Sequence, residues 1–285
     1  MSGSDLVRII INKPTVILKS SGVNTGYEAE YVHHPLMNMY FLRDQSITTP
    51  KGHIMCRMNS VQRFPEVDII EACYEQLGEP AIYRVCGEKS FLEGGDYIPF
   101  GTISLIGQGL RTSQEAIDEL LENDCLGHDT VVVVRERWKN QYQMHLDTYF
   151  NVIDEDLCTM CYNRYDAKDK SDINYLTMDM YVRPKGGRAY RLEPACSGKG
   201  FREFLESRGV KIIRVSKKDA DNYANNYRTV DARHIMSVAG QSKELKDEYA
   251  RHGVKVEWVP LDNLIGGYGA AHCMTQVLRR AGSMP

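Results

Sequence analysis

Cys273 ends the stretch Gly266-Gly267-Tyr268-Gly269-Ala270-Ala271-His272-Cys273, in which residue types capable of chemistry are unusually close together. Three glycines in four positions let the backbone take positive φ and pass near a ligand. A thiol on such a loop is a candidate nucleophile when acids and a histidine reach it from elsewhere in the chain. Alone it carries little, because most intracellular cysteines are small buried hydrophobes and this chain has eight. Three further stretches offer partners. His145 and Asp147 are two apart on an expected strand, so both face one side and Leu146 the other. A carboxylate beside a histidine favours its charged form near neutral pH. Glu93-Gly94-Gly95-Asp96 sets a carboxylate before two residues without side chains, and Arg43-Asp44 follows an apolar run. Each has a plain structural alternative: a polar strand face, an ordinary turn, a polar strand end. Together they suit a guanidinium, which is planar, cationic and resistant to attack. Carboxylates hold it by paired, charge-assisted hydrogen bonds, a thiolate can reach its central carbon, and histidine can protonate the departing amine.

The elements that must position these groups alternate between helix and strand. Residues 5–19 read as extended, and residues 47–52 as a turn before a strand over 53–58. Pro65 opens a helix with Val67, Ile70, Cys73, Tyr74 and Leu77 at helical spacing. Strands follow near 82–85 and 102–106. Thr112 and Glu115 form a capping-box pattern ahead of Ile117, Leu120 and Leu121. Residues 130–134, 144–153, 175–182, 210–215, 234–238 and 254–259 read as strands. Helical patterns fall near Phe201, Phe204 and Leu205, over a polar piece at 219–227, and over 242–252. A helix, a strand and a loop bearing acid or histidine recur roughly every 50–60 residues, the scale of a repeat architecture. The class is α/β, read as one domain over residues 1–285 with 1–30 the least assigned part.

Composition narrows the function classes. Apolar residues make up 42% of the 285, enough for a substantial core. A formal charge of -3 leaves no basic footprint for nucleic acid. The longest apolar runs, such as Val131-Val132-Val133-Val134, are too short to span a bilayer, and no charged-then-apolar leader opens the chain. The scattered cysteines point to reduced thiols and a cytoplasmic setting.

Four motifs carry a resemblance. Asn38-Met39-Tyr40-Phe41-Leu42-Arg43-Asp44, Phe91-Leu92-Glu93-Gly94-Gly95-Asp96, His145-Leu146-Asp147-Thr148 and His272-Cys273-Met274-Thr275 occur in the order and near the spacings of arginine deiminases. From about residue 30 onward the chain resembles that branch of the guanidine-modifying superfamily. The resemblance implies a pentein-type α/β propeller of about five ββαβ-like repeats around a central pocket, the first repeat incomplete. It implies Cys273 as nucleophile, His145 as general acid and base, Asp44 and Asp147 as the guanidinium clamp, and Glu93 as support. At the substrate it places Asn38, Phe41, Arg63, Arg111 and Gly269. The implied reaction is hydrolysis of a small guanidino compound, arginine to citrulline and ammonia, through a thiouronium on Cys273. Neither a metal nor an organic cofactor enters it, no nucleic acid or membrane partner is implied, and self-association is left open.

Two features depart from that pattern. Tyr268 stands where the family usually has an arginine, which bears on binding of a substrate carboxylate. Only 37 residues precede Asn38, so the family's helical insertion is missing. Agmatine deiminase, a peptidyl-arginine deiminase, an amidinotransferase and a silent pentein binding module remain as alternatives. An agmatine substrate would leave Arg63 and Arg111 without a carboxylate, and a silent module should have lost part of the cysteine, histidine and acid set. Cys158 and Cys161 have zinc or redox spacing but lack a second pair and read as structural. His33, His34 and His53 read as surface or loop residues, Lys217-Lys218-Asp219-Ala220 as a solvated turn, and Gly198-Lys199-Gly200 as the entry to a helix.

Overall fold

The computed structural model describes residues 1–22, 26–33, 35–187 and 189–279. The polar link expected over 20–26 and the His33-His34 pair therefore lie partly outside the described residues. The chain begins with α1 (Gly3–Asn12), then a hairpin of β1 (Pro14–Ser20) and β2 (Tyr27–His33). The extended reading of residues 5–19 is thus corrected at its start. Ser2 accepts from the Asp5 amide and Asp5 reaches back to Ser2, a reciprocal cap that nucleates a helix. The apolar residues of α1 and β1, Leu6, Ile10 and Leu18 among them, remain exposed.

Four units with one topology follow. The first is β3 (Ser46–Thr49), β4 (Gly52–Met55), α2 (Phe64–Gln76) and β5 (Ala81–Arg84). The second is β6 (Tyr97–Phe100), β7 (Ile103–Gln108), α3 (Gln114–Glu122) and β8 (Thr130–Arg135). After α4 (Leu146–Tyr149), the third opens with β9 (Phe150–Asp154), β10 (Leu157–Cys161) and α5 (Tyr162–Asp166). It is interrupted by β11 (Thr177–Val182), β12 (Arg191–Leu192) and β13 (Lys199–Gly200), and ends with α6 (Phe201–Ser207) and β14 (Lys211–Val215). After α7 (Lys217–Asp221), the fourth is β15 (Arg228–Asp231), β16 (His234–Val238), α8 (Lys243–Arg251) and β17 (Lys255–Val259). In every unit the first two strands are antiparallel and the helix returns the chain to a third strand parallel to the second. Among the described residues four such units form, against the expectation of about five. The interrupting strands join the second unit's sheet through β11 on β8.

Local causes are readable. In α2, Pro65 occupies the first turn, and Val67, Ile70 and Tyr74 are buried at helical spacing. In β8, Val132 and Val134 enter one core cluster while Val131 and Val133 enter another, so alternation along one strand feeds both faces of the sheet. Ser113, not Thr112, caps α3, accepting from the Ala116 amide at 3.2 Å. Thr112 is released to donate to Asp96 at 2.6 Å. Residues 46–49 are a strand where a turn is expected. The helix expected over 219–227 is confined to α7, capped by Ser216 with Asp219 buried, so this segment is not a solvated turn. His53 is likewise buried, in β4. Cys158 and Cys161 are free, buried residues of β10.

Consecutive units are stitched together. Gly94 donates to the Asp44 carbonyl at 3.1 Å, and the Leu146 amide to Asp96 Oδ1 at 2.8 Å. Asn151 donates to the Asn225 and Tyr227 carbonyls, and His272 to the Asn226 carbonyl. The C-terminal loop then returns to the first unit, where Arg43 donates to the Cys273 carbonyl at 3.0 Å and Gln276 to the Ser46 carbonyl at 2.6 Å.

Candidate active site

The residues singled out in the sequence meet where these units and the C-terminal loop adjoin. Asn38, Phe41, Asp44, Arg63, Arg111, His145, Tyr268 and Cys273 all line one cavity of about 160 Å³. Glu93 and Asp147 stand behind that lining, and Gly269 packs against Cys273 and Phe41, so it shapes the surroundings of the thiol. A Cβ at Gly269 would fall 2.8 Å from the Cys273 Cβ and 3.0 Å from its Sγ.

Each side chain is held by its neighbours. His145 is not on a strand; it precedes the single helical turn α4 in extended conformation, φ -127° and ψ 159°. The strand begins at Phe150, so His145 reaches the site from just before this turn and Asp147 from within it. His145 Nε2 donates to Glu93 Oε2 at 2.8 Å, and its Nδ1 is 3.8 Å from Asp44 Oδ1. Burial disfavours the charged ring, but Asp44, Glu93 and Asp96 outweigh it and raise its pKa to about 10. His145 is therefore an imidazolium at neutral pH. Asp96 accepts from Thr112 and from the Leu146 amide, and burial pushes its carboxyl up to about 7. Gly95 lets the ring approach, since a Cβ there would lie 2.7 Å from His145 Nδ1.

Asp147 is buried and accepts from His272 Nδ1 at 2.7 Å and from the Cys273 thiol at 3.5 Å. Burial and Arg43 lower the His272 pKa to about 4, so this ring is a neutral donor. Cys273 is 4% exposed. Burial first, then Asp147 and Asp44, push its thiol well above the ordinary range. The free site thus holds a neutral thiol beside a protonated histidine.

Arg63 donates to Asp44 Oδ2 at 2.8 Å and to Glu66 at 3.0 Å, and Glu66 also accepts from the Asn38 amide and from Gln45. Arg111 is 3.9 Å from Glu93 and donates to Gln141 at 3.2 Å. Two carboxylate oxygens, Asp44 Oδ1 and Asp147 Oδ1, are buried and accept no hydrogen bond. Such acceptors are costly unless a ligand satisfies them. Asp44, Glu93 and His145 also bring one donor atom each within 4.8 Å of one another, a spacing a metal ion could use. Arg63 on Asp44 and the hydrogen bond between His145 and Glu93 already engage all three side chains.

The family model for arginine deiminase matches residues 6–280. The chain belongs to the arginine deiminase family. It is 29% identical to the arginine deiminase of Halobacterium salinarum, over 87% of this chain and 65% of that protein. It is 28% identical to the arginine deiminase of Lactococcus lactis subsp. lactis, over 98% and 72%. The chain thus spans about two thirds of the length of these family members. Among solved structures it is similar to the N-terminal domain of ArgZ, an arginine dihydrolase of cyanobacteria, with TM-score 0.62 and 21% identity over 84% of this chain and 74% of that one. It is also similar to dimethylarginine dimethylaminohydrolase from Pseudomonas aeruginosa, with TM-score 0.57 and 19% identity over 81% and 73%. These likenesses give the mixed α/β pentein fold.

Beyond the family motifs, the site contains residues that the sequence reading passed over. Glu66 gathers Asn38, Gln45 and Arg63. Asn226, fully buried, contacts the Cys273 loop at several points. Neither is in a motif; Glu66 reads as one acid in a helix, and Asn226 as part of a polar segment.

Proposed function

We propose that this protein is a hydrolase that deiminates a guanidinium group, with L-arginine the leading substrate and citrulline and ammonia the products. The observation that carries this reading is the pair of unsatisfied, buried oxygens, Asp44 Oδ1 and Asp147 Oδ1, beside Cys273 and a protonated His145. A guanidinium supplies planar N–H donors for those oxygens and places its carbon near the sulfur. Its charge offsets the carboxylates that suppress thiolate formation, so the cation itself favours the reactive form of Cys273.

In the proposed sequence Cys273 loses its proton to solvent as the cation binds, and its sulfur bonds to the guanidinium carbon while a C–N π pair moves onto nitrogen. His145 protonates one nitrogen, which leaves as ammonia and gives a thiouronium. The now neutral His145 takes a proton from water and the hydroxyl bonds to the same carbon; the C–S bond then breaks with its pair on sulfur, and the hydroxyl proton passes to that sulfur to leave the ureido carbonyl. Arg63 and Arg111 would face the substrate's carboxylate end. The contacts from unit to unit and back through residues 270–277 support the same reading at the level of fold, a cyclic propeller around the pocket.

A second reading is favoured by Tyr268, which occupies a left-handed conformation (φ 73°), lines the cavity and is 6.0 Å from the Tyr142 ring. A neutral aromatic there suits a guanidino compound without a free carboxylate, such as agmatine or a peptidyl-arginine. Incubation with each of the three, assaying ureido product and ammonia, decides between them. No turnover of any, with Cys273 inert to a cationic haloacetamidine, would end the enzymatic reading in favour of a binding module.

A further inference from the structure

Asn226 lies in the turn before β15 and none of its side chain is exposed. Its Oδ1 accepts from the Ala270 amide at 2.8 Å and from the Cys273 amide at 3.1 Å. Its Nδ2 donates to Cys273 Sγ at 3.1 Å and to the Asp147 carbonyl at 3.3 Å. The orientation of the amide is therefore determined. Turning it over would set its NH2 against two backbone N–H donors and its oxygen against a carbonyl and a sulfur. The backbone joins in, since the Asn226 carbonyl accepts from the His272 amide at 2.9 Å.

The sulfur needs such a donor. Burial and two nearby carboxylates oppose the thiolate, whereas the hydrogen bond from Asn226 acts in its favour. A hydrogen bond to a charged acceptor contributes more than one to a neutral acceptor, so the contact strengthens as the proton leaves. We propose that Asn226 is a further catalytic residue, whose amide N–H stabilises the Cys273 thiolate while its carbonyl oxygen fixes the loop that aims the sulfur. The proposal rests on reading Cys273 as the attacking atom. It adds a neutral donor to a set otherwise made of acids and a histidine. A neutral donor is the group required there, because a lysine or arginine at that point would compete with a cationic substrate for the same carboxylates.

The test uses Asn226→Asp, which keeps acceptors for the two loop amides and removes the NH2, and Asn226→Ala, which removes the donor without adding charge. Alkylation of Cys273 by iodoacetamide is followed from pH 6 to 11 by mass spectrometry, with melting temperature and steady-state kinetics alongside. The expected result is a midpoint raised by about one unit or more in both variants. With it, kcat should fall roughly 10- to 100-fold and KM stay within about threefold. An unchanged midpoint in a variant that melts within a few degrees of the parent overturns the proposal, and so does a raised KM with unchanged kcat. Should both variants fail to fold, the parent protein still answers. The side-chain amide signal of Asn226 in a nitrogen-15 spectrum must move as Cys273 ionises or is alkylated, and a stationary signal refutes the contact's role. Altered alkylation in a protein that turns over no guanidino compound leaves Asn226 acting on the sulfur and ends the deiminase reading alone.

Discussion

His145 and His272 are both buried and each is hydrogen-bonded to a carboxylate, His145 to Glu93 at 2.8 Å and His272 to Asp147 at 2.7 Å. From that first contact they should behave alike, yet one is raised to about 10 and the other lowered to about 4. Burial works against the charge on both. What separates them is the next layer. Around His145 stand Asp44 and Asp96 in addition to Glu93, while around His272 stand Arg43 and Arg228. Arg43 donates to the His272 carbonyl at 3.1 Å and to Gln276 at 2.9 Å, which keeps a fixed positive charge beside that ring. A histidine–carboxylate pair thus gives an acid in one place and a neutral strut in the other.

The comparison is broken most directly by exchanging each ring for an amide. His145→Gln should lose roughly 10³-fold in turnover, because the other side-chain donor on Asp44, Arg63, is a guanidinium, which does not give up a proton near neutral pH. His272→Gln retains an N–H able to reach Asp147 and should lose no more than about tenfold. Equal losses in the two variants would show that the protonation difference has no bearing on turnover. A smaller effect comes from Gly95→Ala. Its Cβ would meet His145 Nδ1 at 2.7 Å, and the displaced ring should cost about 10²-fold in kcat. The iodoacetamide midpoint of Cys273 should move little, since no atom of residue 95 touches the sulfur. A large change in that midpoint would mean that the two halves of the site are coupled.

The histidines also mark what could and could not be read from the residues in order. The four motifs were legible because each gathers unusual types in a short span, and the structure gathers Asp44, His145 and Cys273 around one cavity. The α2, α3 and β8 segments were legible through apolar spacing. The ring of His145 was not placed by the strand alternation expected of it, because α4 intervenes; the Leu146 amide on Asp96, 50 positions away, and the His145 ring on Glu93, 52 away, hold the turn there. His272 was visible only as a neighbour of Cys273, since its neutrality depends on Arg43, 229 positions away. Asn226 left no signal. An asparagine in a polar run acquires meaning only when folding buries it completely against a thiol. In each case the illegible part is long-range: sequence shows which groups are present, and tertiary contacts decide their charge.

The smallest expected effect is on stability, and it sharpens the comparison because the two signs differ. His145 has its pKa raised from 6.5 to about 10 on folding. The folded protein therefore binds this proton more tightly than the unfolded chain, and the stabilisation is complete below pH 6.5 and lost as pH rises through 10. Asp96, raised from 3.8 to about 7, acts in the same sense, with its contribution lost as pH rises through 7. His272 is lowered from 6.5 to about 4, so its contribution is complete above pH 6.5 and lost as pH falls through 4. Melting temperatures measured from pH 4 to 10 should accordingly fall at both ends. His145→Gln should flatten the alkaline side by a few degrees relative to the parent, and His272→Gln the acid side. Taking differences between variants removes the titration common to all of them. If His272→Gln flattened the alkaline side instead, His272 would be the charged ring, and Arg43 would not be the group that separates the pair.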